Sequence, residues 1–148
     1  GEIIASGEGD YEAIAQNNFA AVEIATEEYE EKYGNRNIIM FAQLESDGEI
    51  ISTNHCTMTV PKYLELERPE FDVAIKELAD NKFELKVKTN KPAIMVRLEL
   101  SNVDAQFTDN FFTMYAGQER TIIAEPWEPM LLEAFKAQLK IKSLVDSY

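Results

Sequence analysis

An all-β fold, an antiparallel β-sandwich with short helices, is what this sequence predicts, and three observations carry the prediction. Apolar residues alternate with charged ones at a period of two in the second half, as in KFELKVKT, where Phe83, Leu85 and Val87 interleave with Lys82, Glu84, Lys86 and Lys88. Such a strand buries one face and wets the other. Turn residues punctuate the runs, as at Asp80-Asn81 and Asn90-Lys91-Pro92, and this spacing of short strands suits a sandwich. A hydrophobic content of 45% in 148 residues is enough to bury a core.

Taken in order, EIIASGEG (residues 2–9) and FAAVEIA (19–25) are expected as strands. Thr26 before EEYEEKYG supplies an N-cap, acidic first-turn residues suited to the helix dipole, and Gly34 as a stop. NIIMFAQLES and EIISTNHCTMTV flank Asp47-Gly48, a pair that tolerates the positive φ angles of a tight hairpin. VPKYLELERPE, bracketed by Pro61 and Pro69, must run extended, as a linker or as the strand joining two sandwiches. Only about four strands precede it, whereas a complete sandwich of this kind has about seven. The expected division is therefore residues 1–62, part of one sandwich, and residues 63–148, a whole one.

Within the second part, FDVAIKEL places Phe71, Val73 and Ile75 on one side, and PAIMVRLEL does the same with Ile94, Val96 and Leu98. FTDNFFTMYAGQERTI describes a strand, a bend at Ala116-Gly117 and another strand. Phe111 and Phe112 then face opposite ways, so at most one joins the core and the other seeks an interface. Glu125-Pro126-Trp127-Glu128-Pro129 leads into a helix over MLLEAFKAQ, with Pro129 in its first turn and Leu131, Leu132 and Phe135 on one side. LKIKSLV closes the chain as a strand with Leu139, Ile141 and Ser143 inward.

Charge and cysteine content narrow the function. A net charge of −13 excludes nucleic acid and anionic membrane as partners, since phosphate recognition needs clustered Lys and Arg. No apolar run approaches the roughly 20 residues of a membrane helix. Cys56 is the single cysteine, so no internal disulfide forms, and a reducing, cytoplasmic location is expected. GEIIASGEGDYEA has no basic stretch followed by an apolar one and is not a signal peptide.

Chemistry-bearing clusters are few. Glu27, Glu28, Glu30 and Glu31 spread around a helix as a solvated face. Asp104, Asp109 and Asn110 near a turn are weighed as calcium ligands, but Asx residues more often cap turns by bonding backbone amides, which is the role expected of Asp109 or Asn110. His55 and Cys56 are strand neighbours whose side chains diverge, and no second histidine completes a zinc set. Carboxylates abound, yet nothing marks one for an apolar pocket and another for a polar one, as a glycosidase pair requires. No catalytic residue, cofactor or metal site is expected. Trp127, between two prolines, suits either a sugar-stacking platform, with Tyr115 as a second ring, or a hydrophobic anchor that closes one end of the sandwich or docks on a neighbouring domain, the anchor being preferred.

FTDNFFTMYAGQERTI resembles the Ser-Asp-Asn-aromatic-Phe … Gly-Glu signature in the last domain of the beta-mannosidases of glycoside hydrolase family 2. LKIKSLVDSY resembles the Ser-Leu-x-Asp-(Thr/Ser)-Tyr ending of those proteins, and TMTVPKYLELERPEF resembles the junction between their fourth and fifth domains. The three stretches keep the family's order across residues 57–148; residues 1–56 resemble the later strands of the preceding immunoglobulin-like domain less specifically. Ala116-Gly117 stands where Pro-Gly is usual, and EPWEPMLLEAFKA fills the connection before the last strand.

The resemblance implies an immunoglobulin-like sandwich, and a parent enzyme that hydrolyses terminal non-reducing beta-D-mannose with retention through two glutamates of a barrel absent from these residues. It makes this region a non-catalytic support for the barrel or for a homodimer, with Gly117 permitting the bend. The partners implied are the parent's catalytic and other domains. Rival expectations are a carbohydrate-binding module that holds a mannose-containing glycan on Trp127, and a surface adhesion domain. Trp127, Tyr115 and Phe112 are the expected glycan or domain contacts.

Overall fold

The computed structural model describes residues 1–12 and 22–147. They form two compact units, Glu2–Glu65 and the stretch from Leu66 onward.

In the first unit, helix α1 (Glu27–Tyr33) precedes a hairpin of β1 (Ile39–Ser46) and β2 (Glu49–Thr57). Asp47 and Gly48 both take positive φ, 54° and 81°, as the Asp-Gly turn requires. A bulge at Leu44/Glu45 shifts the register, and most of the hairpin's side chains are exposed.

Three expectations fail here. Residues 2–9 form no strand, and neither do residues 22–25, while residues 19–21 of that expected strand lie outside the described residues. Among the described residues β1 and β2 pair only with each other, and neither of these stretches adds to their open edges. Thr26 makes no side-chain cap; its αR backbone turns the hydroxyl toward Glu30, to whose carboxylate it donates at 2.7 Å. Gly34 stops the helix as expected, at φ 80° with its N–H on the Glu30 carbonyl. After β2 the chain makes a short 3-10 turn at Pro61–Tyr63.

The second unit is a seven-stranded sandwich. One sheet orders β3 (Phe71–Glu77), β4 (Phe83–Thr89), β8 (Glu119–Pro126) and β6 (Ala105–Phe107); the other orders β7 (Phe112–Met114), β5 (Ala93–Leu100) and β9 (Leu139–Lys142), and every pairing is antiparallel. The core is the alternation expected from the sequence: Phe83, Leu85 and Val87 from β4 and Ile122 and Ala124 from β8 meet Val96, Leu98, Phe112 and Met114 of the facing sheet. Phe135 of helix α2 (Leu132–Gln138) completes it, stacked on Phe83 with ring centroids 4.1 Å apart. Phe71, Val73, Ile75, Leu139 and Ile141 pack around the edge.

Two elements start or stop elsewhere than expected. Leu131 is extended, with ψ 154°, so it precedes α2 rather than joining its apolar side, and Pro129 stands outside the helix altogether. The cause is Asn81, whose amide holds the 126–130 segment as a loop. The last strand ends at Lys142, not Val145, because Leu144–Ser147 coil into a 3-10 turn. Ser143 is still buried, with its N–H on the Asp146 carboxylate at 2.8 Å. In β5 the alternation slips once: Met95 adopts φ 52° at a register shift, so Ala93 and Ile94 are both buried.

Candidate interaction site

Four polar side chains hold the ends of the sandwich, and they decide what is offered to a partner. At the entrance to β7, Asn110 acts as a piece of peptide backbone. Its Oδ1 accepts from the Leu98 N–H at 2.8 Å and its Nδ2 donates to the Leu98 carbonyl at 2.9 Å, pairing β5 where β7 has not yet begun. The same Oδ1 accepts from the Phe111 N–H at 3.1 Å, and Phe111 sits at φ 59°. That conformation is uncommon for a bulky residue. It sends Phe111 out to 57% exposure while Phe112 turns into the core at 6%.

The expected contact surface is therefore corrected at one position: the outward phenylalanine is Phe111, and Phe112 is a core residue. The Arg120 guanidinium lies over the Phe112 ring, 5.1 Å from its centroid, and pairs with Asp109. Asp109 thus serves an ion pair, and the capping of backbone amides belongs to Asn110.

Gly117 lies in a turn from Tyr115 to Gln118, with φ 83° at the third position and the Gln118 N–H on the Tyr115 carbonyl at 3.1 Å. The third position of a type II turn demands such a φ, and the second tolerates most residues, so alanine can stand there in place of proline. The Gly117 N–H reaches the Thr89 carbonyl at 2.8 Å, tying the turn to β4.

At the other end of β8, Asn81 organises the loop that carries the tryptophan. Asn81 itself has φ 57° in the Asp80-Asn81 turn. Its Nδ2 donates to the carbonyls of Pro126 (2.9 Å) and Glu128 (3.0 Å), and its Oδ1 accepts from the Met130 N–H (3.0 Å). The Trp127 N–H meets the Asp104 carbonyl at 2.9 Å. Backbone pinned on both sides leaves the Trp127 side chain 73% exposed and Leu131 77% exposed. In the sequence Asn81 reads only as a turn residue, since its partners lie 45 to 49 residues away.

The two expected rings do not come together. Tyr115 precedes β8 and Trp127 follows it, and eight strand residues span roughly 25 Å. Two carboxylates, Glu99 and Asp146, are committed to structure. Hydrogen bonding from Lys142, with Arg97 alongside, holds Glu99 below the usual carboxylate range. The Ser143 amide, with Arg68 beside it, does the same for Asp146. Both shifts run opposite to the raised pKa of a general acid. Among the described residues no group of three or more His, Cys, Asp or Glu side chains could hold a metal ion. His55 rests beside Phe41, ring centroids 6.3 Å apart, and Cys56 is exposed.

Comparison with known proteins agrees with the fold. The beta-mannosidase of Bos taurus is 27% identical over 107 residues, covering 71% of this chain and 12% of the relative. The beta-mannosidase of Capra hircus matches to the same extent. This chain therefore spans about one eighth of the length of these relatives. The crystal structure of a beta-D-mannosidase from Dictyoglomus thermophilum superposes with a TM-score of 0.61 at 23% identity, covering 72% of this chain and 13% of that one. Residues 66–147 match the model of the Ig_mannosidase family, an Ig-fold domain. With the seven strands that follow Leu66 arranged in two antiparallel sheets and a family match over residues 66–147, the chain belongs to the Ig_mannosidase family of Ig-fold domains.

Proposed function

We propose that this chain is a non-catalytic C-terminal accessory region of a beta-mannosidase-like enzyme of glycoside hydrolase family 2, whose parent protein hydrolyses terminal non-reducing beta-D-mannose with retention. Residues 1–62 belong, in this proposal, to the later strands of a preceding immunoglobulin-like domain. The role is mechanical: one face or end of the sandwich supports the catalytic barrel or a second copy of the enzyme. The observation that carries the proposal is the family match over 66–147. Retaining hydrolysis needs two carboxyl groups about 5 Å apart with pKa values driven apart, and the two carboxylates with shifted pKa here, Glu99 and Asp146, are both depressed.

The test is an assay of this chain and of the full-length parent on a chromogenic beta-mannoside. Turnover by the parent with none by the chain is expected. Turnover by the isolated chain refutes the non-catalytic role, and a parent inactive on beta-mannosides refutes the enzyme assignment.

A further inference from the structure

We infer that the loop 126–131 is a preformed anchor that docks onto the part of the parent polypeptide lying outside these 148 residues, with Trp127 as its central contact. The inference rests on the accessory role proposed above and names the surface that performs it. Trp127 is the chain's single tryptophan and is 73% exposed, with Leu131 at 77% on the same segment. Tryptophan is enriched among the few residues that dominate binding, and it does so when desolvated in a pocket. The backbone of the loop is held in place. Three hydrogen bonds to the Asn81 amide and one to the Asp104 carbonyl fix its backbone, so the ordering cost of association is largely met beforehand.

The occupant follows from size and charge. Relatives are about eight times longer than their shared segment, at 12% coverage, so most of a homologous polypeptide lies outside this structure. A partner on the same chain meets the loop at high effective concentration. A second copy of this chain is disfavoured by its net charge of −13. Exposed Asp104 and Glu128 flank the tryptophan, so the surface that receives it is an apolar pocket with a basic rim.

Hydroxyl-radical footprinting read by mass spectrometry, run on the 148-residue chain and on the full-length parent, tests this directly. Trp127 should fall from 73% exposure to the dryness of an interface core and lose most of its oxidation, with Leu131 slowed alongside it. If Trp127 oxidises equally fast in both while another exposed residue such as Phe111 is shielded in the parent, the domain docks through a different face: the anchor is refuted and the accessory role stands. If no residue of 66–147 is shielded, both fail. Shielding in the isolated chain that grows with protein concentration assigns the loop to a second copy, and shielding by added mannan assigns it to a glycan; either overturns the inference.

Discussion

Replacing Asn110 with alanine removes the one side chain that completes the β5 ladder at Leu98. The substitution leaves the Leu98 N–H and carbonyl without the partners now at 2.8 and 2.9 Å, and the Phe111 N–H loses its acceptor as well. A buried backbone group stripped of its partner costs about 1–3 kcal/mol. The site is half-buried, so water recovers part of this for some of the groups, and a total near 2–4 kcal/mol is expected. For a domain of about 80 residues that corresponds to a Tm lower by about 10–20 °C.

The control is the neighbouring residue. Asp109→Ala breaks the pair with Arg120, whose members remain partly solvated, and such pairs are worth about 0–1 kcal/mol. Asn110→Asp keeps the acceptor for Leu98 but turns an acceptor onto the Leu98 carbonyl, so it should destabilise at neutral pH and recover partly once protonated. Urea denaturation followed by far-UV circular dichroism on the 148-residue chain measures all three. A loss below about 0.5 kcal/mol for Asn110→Ala, well under the lower limit for one orphaned group, or a larger loss for Asp109→Ala, would refute the backbone-mimic role.

Two further outcomes are expected. Phe135→Ala opens a cavity against the stacked Phe83 ring, both fully buried, and should cost about 3–5 kcal/mol by the same denaturation assay. Asp146 has a folded pKa below its ordinary 3.8 through the Ser143 amide and then Arg68. Its contribution is therefore fully present above that ordinary value and is lost as pH falls through the lower folded one. Asp146→Asn should be less stable than the parent sequence at pH 7, and the gap should narrow in acid; a gap independent of pH across acidic conditions would exclude the linkage.

The Ser143-Asp146 pair also explains the closing SLVDS residues physically. The carboxylate takes the Ser143 amide at the start of the 3-10 turn and reaches Arg68 near the beginning of the same unit. Both ends of the sandwich's sequence are thereby joined, which neither Ser143 nor Arg68 announces locally.

Period-two alternation was sufficient to foresee β3, β4, β5 and most of the core, because a strand's two faces are sorted by solvent before any partner is chosen. The Asp47-Gly48 hairpin and the Gly117 bend were equally legible, since a positive φ is a local demand. The isolated alternations near the start were not informative in the same way: residues 2–9 and 22–25 have strand-like composition, but composition is a weak guide where no ladder partner is formed, and here neither stretch pairs. Which phenylalanine of the 111–112 pair faces inward, where α2 begins, and how far Trp127 projects were settled by Asn110 and Asn81. Both amides act on backbone groups 12 to 49 residues distant, and such a contact exists only once the sheets have brought those segments together.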